Sequence, residues 1–348
     1  MVVSGPPPAS SQGRTEITAK FNEGWSRMAS CSETVVVLAD FDDPDVARLT
    51  ELDGHLCHIP LALPSEDYNL AGDLIHGWQL SVGPHVLTSD HLSTASNVVF
   101  RRWRGSPPSP IVTVTSLTDL DHRRFAERQW NAALLGLLHS EYLKRPQRWS
   151  RDPLAADNKI ATLTALADHV RVPATSTSSR KPQVAQRQVW KPIDIDQSCG
   201  PGRASTIEVT GDLDVRQPCP GFYQDVIDSS YEVRVGFVFG EITLIAQYPT
   251  ETIGTHIDRR YIDHHRTALS DARLAESAVV VSRELRLNVF TADVLVDGEG
   301  VAWWCDVNPD GLFCAADTEH GDLVRTLTAA LHSGQTSAIS KIEAEANA

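Results

Sequence analysis

The sequence predicts a mixed α/β protein, α+β in arrangement, whose second half is the richer in strands. Three stretches carry that expectation. Thr34–Ala39 is a β-branched run of buried-strand type, followed by Asp40, Asp42, Asp43 and Pro44, the signature of a helix start. Asp119–Leu143 sets Phe125, Trp130, Leu134, Leu135 and Leu138 at helical spacing, which predicts a long amphipathic helix with these side chains in the core. Arg286–Phe313 reads as two strands joined at Asp297-Gly298-Glu299-Gly300, where glycines supply the positive φ of a tight hairpin turn.

At 348 residues the chain is long enough for two or three domains, and its composition, 41% hydrophobic and 22% charged, is that of an ordinary globular protein. A formal net charge of −14 excludes general nucleic-acid binding, which needs a basic surface. Cys31, Cys57, Cys199, Cys219, Cys305 and Cys314 form no C-x-x-C pair and read as reduced thiols. No apolar run reaches membrane-spanning length and no signal-peptide core opens the chain, so a cytoplasmic protein without membrane contact is expected.

In chain order, residues 1–32, with Pro6-Pro7-Pro8, read as a flexible arm, with Met28 as an alternative start. Residues 33–118 read as an N-terminal α/β domain, with a helix at Asp45–Leu52 and strands near Leu56–Pro60, Trp78–Val82 and Val98–Arg101. Its one dense basic cluster, Arg101-Arg102-Trp103-Arg104, reads as a solvated strand end. Residues 119–150 hold the long connecting helix. Residues 151–222 form a central unit: a helix over Ile160–Val170, a polar loop at Thr175–Lys181, a strand at Gln188–Pro192, a glycine loop at Ser198–Gly202 and a strand at Thr206–Val209. Residues 223–335 form a C-terminal unit. Its opening meander takes in Phe222–Ile227, Tyr231–Phe239 and Glu241–Gln247; a helix over 268–287, the hairpin and a last helix at Gly321–Leu331 follow, and 336–348 is a flexible tail.

The hairpin carries the chemistry. With Gly298-Glu299 as its loop, Val296 faces Val301, Asp293 falls opposite Trp304, and alternation puts Trp304, Asp306 and Asn308 on the face of Asp293. Two carboxylates and a carboxamide converging there suit Mg²⁺, a hard cation that completes its shell with water and phosphate. The same residues also fit an Asx-type strand end followed by a plain turn at Asn308-Pro309-Asp310-Gly311. Lys191 lies in a strand between Trp190 and Pro192, and Lys159 lies at a helix start 32 residues earlier. Each fits an anion ligand or a solvated lysine. Gly200 and Gly202 allow backbone amides to approach phosphates. Asp225-Val226-Ile227, with Glu232 seven residues past Asp225, fits either a purine and ribose site or an acid pair across a hairpin.

The order of these pieces resembles the ATP-grasp fold over roughly residues 34–335, and within it the graspetide, or microviridin-type, peptide maturases. The matching stretches are RDPLAADNKIATLTALADHVRVPAT, VWKPID, FYQDVIDSSYEVRVGFVFGE, HIDRRY and FTADVLVDGEGVAWWCDVNPDG. The resemblance implies an N-terminal α/β domain, a central lid and a C-terminal antiparallel-sheet domain. It implies ATP phosphates on Lys159 and Lys191, adenine on Asp225, Val226 and Ile227, and ribose on Glu232. It also implies Mg²⁺ on Asp293, Asp306 and Asn308, with Arg234, Arg259 and Arg260 as the family's motif arginines. Glu232 stands where the family usually has Asp, Asp306 where it has Glu, and Asp310 where it has Asn. The implied reaction is ATP-dependent closure of Asp or Glu side chains of a precursor peptide, leader plus acidic core, onto Thr or Ser hydroxyls or Lys amines. A small-molecule amino-acid ligase and a non-catalytic peptide-binding relative are the rival classes, and a homodimer is the default assembly.

Overall fold

The computed structural model describes residues 34–101 apart from 41–42, 54–55, 62, 74–75 and 84; residues 112–178 apart from 156–157; and residues 187–191, 207–209, 221–249, 267–268, 272–310 and 328–332. The arm, Arg102–Arg104, Gly200, Gly202, Arg259, Arg260, most of the last helix and the tail lie outside the described residues.

The chain begins with β1 (Val35–Asp40), which pairs in parallel with β2 (Leu56–Leu61) on one side and β7 (Asn97–Phe100) on the other. Between β1 and β2 runs α1 (Pro44–Leu52). Asp43 caps it by accepting from the N–H groups of Asp45 and Val46 at 3.0 and 3.3 Å, and Pro44 supplies a preset φ in the first turn. Alternation along β1 feeds two cores. Val36 and Leu38 pack with β2, Trp78, Leu80, β7 and Trp149, whereas Val35, Val37 and Ala39 pack with Val46 and Leu49 and with Val238, Phe239 and Val289.

Short β3 (Leu63–Pro64) and β8 (Val112–Thr113) pair in parallel, and β4 (Tyr68–Asp73), β5 (Gly77–Val82) and β6 (His85–Thr88) form an antiparallel meander. The helix α2 (Ser89–Thr94) follows, closed at its start by a capping box between Thr88 and His91. Next comes α3 (Leu120–Lys144), capped by Asp119. Leu134 and Leu138 are buried as expected, but Phe125 is 59% exposed, and no side chain in the first turns of α3 is buried among the described residues.

Past Trp149 the chain enters α4 (Lys159–Leu166), capped by Asn158 and shorter than the expected Ile160–Val170. The stretch read as a polar loop is partly strand: β9 (Thr175–Ser178) joins β10 (Gln188–Lys191), β11 (Ile207–Val209) and β12 (Gly221–Asp225) in a four-stranded sheet ordered β11-β10-β12-β9. The expected three-stranded meander is therefore corrected. β12 pairs with β10 and β9, so residues 226–228 carry the chain from one sheet to another rather than turning a hairpin.

The C-terminal sheet is ordered β15-β14-β13-β16-β17, from β13 (Ser229–Val238), β14 (Glu241–Pro249), β15 (Thr267–Ala268), β16 (Val289–Asp297) and β17 (Ala302–Asn308). Phe239 and Gly240, at φ 47° and 94°, make the turn from β13 to β14. The left-handed conformation costs Phe239 roughly 1–2 kcal/mol, offset by burial of its ring in the shared core. α5 (Ala272–Leu285) covers one face of this sheet through Leu274, Ala278 and Val281, and Leu166 of α4 joins them. Among the described residues, no helix is long and apolar enough to cross a membrane.

Candidate functional site

Opposite the helix-covered face, the C-terminal sheet presents a row of polar side chains. Val233, Val235, Ala292, Val294, Val296, Trp304 and Val307 point into the core. Alternation then turns Glu232, Arg234, Asp293, Asp306 and Asn308 the other way. Arg234 sits across from Asp293, Asp293 across from Asp306, and Thr291 across from Asn308. Such cross-strand neighbours bring Cβ atoms to about 5 Å.

The register differs from the one expected. Val296 pairs with Ala302, Leu295 with Trp303 and Val294 with Trp304, and the ladder then shifts so that Asp293 meets Asp306. Cys305 is the extra residue of a β-bulge, and the Trp304 N–H donates outward to Arg171 O at 2.8 Å. Trp304 thus lies in the core, on the face away from Asp306 and Asn308, and the expectation that all three share a face is overturned. The loop is longer than two residues. Asp297 Oδ1 accepts from the N–H groups of Glu299 and Val301 at 3.0 and 2.9 Å, while Asp297 Oδ2 accepts from the Trp303 indole at 2.9 Å. The indole bond, together with the loop N–H groups, holds the Asp297 carboxyl below its ordinary range.

Two carboxylates of the row, Asp293 and Asp306, are paired with cations. Lys159 Nζ, at the start of α4, donates to Asp306 Oδ2 at 2.8 Å. Arg234 donates to Asp293 Oδ1 through Nε at 2.8 Å and its terminal nitrogen at 2.7 Å. The mutual repulsion of the acids is thereby offset within the protein. Asn308 Oδ1 accepts from Asp310 N at 3.0 Å, the expected Asx turn. The donor set of two carboxylates and a carboxamide consists of hard oxygens on one half-exposed face, which fits Mg²⁺. Among the described residues, no three His, Cys, Asp or Glu side chains gather as a metal site.

Lys191, on β10, and Glu232, on β13, belong to different sheets, and the charges of both act on Cys305. Burial pushes the Cys305 thiol up to about 12, with the Lys191 charge opposing and the Glu232 and Asp293 charges adding. Gln224 Nε2, fully buried, donates to Cys305 O at 3.3 Å and fastens β12 to the bulge. At the end of β12, Asp225 N donates to Ala174 O and, in the linker after it, Val226 N donates to Arg187 O, both at 2.9 Å, and the Asp225 carboxylate accepts from Gln188 Nε2 at 2.9 Å. Two of the three expected hinge N–H groups are therefore engaged within the protein. The structure brings together Lys159, Asp306, Asp293 and Arg234. Arg259 and Arg260 lie outside the described residues.

Sequence reasoning missed Gln188, Gln224 and the pair Arg151–Asp310, whose Nη1 to Oδ1 distance is 3.2 Å. A lone arginine after Trp149-Ser150 has no local signal, because its partner lies far along the chain. It also misjudged Arg101. Instead of a solvated strand end, this guanidinium is buried against Asp43 and Asp45, each at 2.5 Å.

No family model matches the chain, and no curated protein sequence matches it. Solved structures do. The Microcystis aeruginosa macrocyclase MdnC, bound with precursor peptide MdnA, superposes with a TM-score of 0.64 at 18% identity, covering 87% of this chain and all (100%) of that one. The Chryseobacterium gregarium RiPP-associated ATP-grasp ligase, in complex with ADP and a leader and core peptide, gives 0.61 at 16% identity over 87% and 98% of the two chains. The ATP-grasp ligase PsnB, complexed with minimal precursor, Mg and ADP, gives 0.59 at 16% over 86% and 98%. The chain has the ATP-grasp fold.

Proposed function

We propose that this chain is an ATP-dependent carboxylate ligase acting on a ribosomal precursor peptide. The observation that carries the reading is the row Arg234, Asp293, Asp306 with Lys159 on an open sheet face, acids and cations alternating at bonding distance. Such a row has the charges to bind a nucleotide's phosphates together with a divalent cation. Likeness to ligases crystallised with precursor peptides supports the substrate class.

In this reading Asp293, Asp306 and Asn308 hold Mg²⁺, and bound there the ion neutralises phosphate oxygens. Lys159 exchanges its bond to Asp306 for one to phosphate. Lys191 adds a second cation from β10, and Glu232 takes the ribose hydroxyls. The linker at Asp225, Val226 and Ile227 lines the adenine, with Ile227 the hinge donor to test, since its two neighbours are engaged. Arg234 holds the substrate carboxylate or the transferring phosphoryl through its planar fork, and Arg259 and Arg260 are further candidates. An Asp or Glu side-chain oxygen of the peptide attacks the γ-phosphorus as the bond to ADP breaks, giving an acyl phosphate. A Thr or Ser hydroxyl, or a Lys amine, then attacks the acyl carbon, loses its proton and expels phosphate, closing an ester or amide ring. Each ring removes the elements of water from the peptide. ATP supply and reduced Cys57 and Cys305 suit a cytoplasmic setting. The parts would be the N-terminal domain 33–118, the connecting helix 119–150, the lid 151–222 and the metal-bearing domain 223–335.

Calorimetry with ADP and Mg²⁺, followed by mass spectrometry after incubation with ATP and an acidic, Thr-rich peptide, tests this. Lys191→Ala is expected to weaken ADP by about 10- to 100-fold, the effect of losing a charged hydrogen bond of roughly 1.5–3 kcal/mol. ATP turnover with free amino acids alone points instead to a small-molecule ligase. No nucleotide binding at all points to a binding relative.

A further inference from the structure

Arg151 is the more completely buried of the two buried arginines among the described residues, 1% exposed, and no role described so far uses it. A guanidinium taken out of water requires an anion and acceptors around it. Its Nη1 donates to Asp310 Oδ1 at 3.2 Å and its Nη2 to Ala155 O at 2.9 Å. The backbone beneath it is held from both sides. Ser150 N donates to Val98 O at 2.8 Å, and Ser150 O accepts from Asn288 N and Val289 N at 2.8 and 3.2 Å. The Ser150 hydroxyl spans Phe100 N and Phe100 O at 2.9 and 3.1 Å. Arg151 therefore projects from a segment stitched to β7 and to the start of β16 at once.

Its partner is tied to the metal row. Asp310 N is the donor that orients Asn308 Oδ1, at 3.0 Å. The Asp310 charge also reaches Arg101, the guanidinium locked between Asp43 and Asp45. A side chain that ends a strand and starts a turn swings freely unless something beyond the turn is anchored. We infer that Arg151 and Asp310 are a positioning pair: the buried guanidinium clamps Asp310, and Asp310 in turn fixes the Asn308 carboxamide in the orientation that offers its oxygen to the cation. The inference rests on the Mg²⁺ reading of Asp293, Asp306 and Asn308. It adds that the carboxamide's aim is set by the segment that joins the two sheets.

The experiment is calorimetric titration of ADP over a series of Mg²⁺ concentrations, with wild type, Asp310→Asn, Arg151→Gln and the double variant, each checked for fold by circular dichroism. Groups that hold a metal's ligands in orientation typically contribute 10- to 100-fold in affinity. The Mg²⁺ concentration giving half the metal-dependent gain in ADP affinity should rise about tenfold in Asp310→Asn, and no further in the double variant, while ADP affinity without metal stays unchanged. If Arg151→Gln does not fold, Asp310→Asn, which keeps an oxygen for the guanidinium, carries the measurement. Folded variants that keep the wild-type Mg²⁺ midpoint overturn the pair's role and leave the nucleotide site standing. A wild type whose ADP affinity ignores Mg²⁺ overturns the metal reading itself, and this inference with it.

Discussion

Two sets of ion pairs divide this molecule by what they can do. At the edge of the N-terminal sheet, Arg101 bridges Asp43 and Asp45, and none of the three side chains is more than 6% exposed. On the open face of the C-terminal sheet, Lys159–Asp306 and Arg234–Asp293 are ion pairs whose side chains are 16–34% exposed. A guanidinium shared by two carboxylates out of water cannot change partners without stranding a charge, so the first set is architecture. A half-wet pair loses little on opening and can trade its cation for a ligand.

The largest effect should come from the first set. Arg101→Met leaves two buried carboxylates without their cation and is expected to cost about 3–5 kcal/mol in urea unfolding. A cost below about 1 kcal/mol would dissolve the distinction. Asp306→Asn sharpens it from the other side. Stability should stay within about 1 kcal/mol of wild type, while the gain in ADP affinity from Mg²⁺ disappears. An unfolded variant would make Asp306 architectural as well.

The smallest effect concerns protons. Burial, with the nearby His58 adding, lowers His85 to about 4, so its imidazole is neutral in the fold. The unfolded chain takes up a proton below its ordinary value near 6.5, so the folded state is favoured above that pH and loses ground as pH falls from about 6.5 toward 4. His85→Gln should flatten that slope in thermal melts recorded across this window. A slope unchanged in His85→Gln would assign it to other groups, with buried His58, lowered mainly by burial, the first to test.

Much of the scaffold was legible because its signals are local. The valine run of β1, the Asp43–Pro44 cap and the long α3 were read from neighbours in sequence. What escaped depends on distant partners. β12 looks like the first strand of a meander, yet it pairs with β10 and β9, a choice made by chain many residues away. The acids Asp293 and Asp306 were singled out from alternation, but the register that joins them depends on a bulge that no alternation rule contains. Asp310 was noted as a departure from the family pattern. Its buried counter-ion, 159 residues earlier, was invisible until the fold brought the two together.

The bulge at Cys305 divides β17 into two phases. Ahead of it, Trp304 belongs to the packing layer; behind it, Asp306 and Asn308 belong to the open face, and Val307 returns to the core. Side-chain volume in the Trp304 half can therefore drift or be redesigned without rotating the oxygen donors, as a slip joint takes up motion on one side only. Removing Cys305 would leave Val294 opposite Trp304 and Asp293 opposite Asp306, with Trp304 still inward and Asp306 still outward, so the extra residue lets two side chains two apart in sequence face opposite ways.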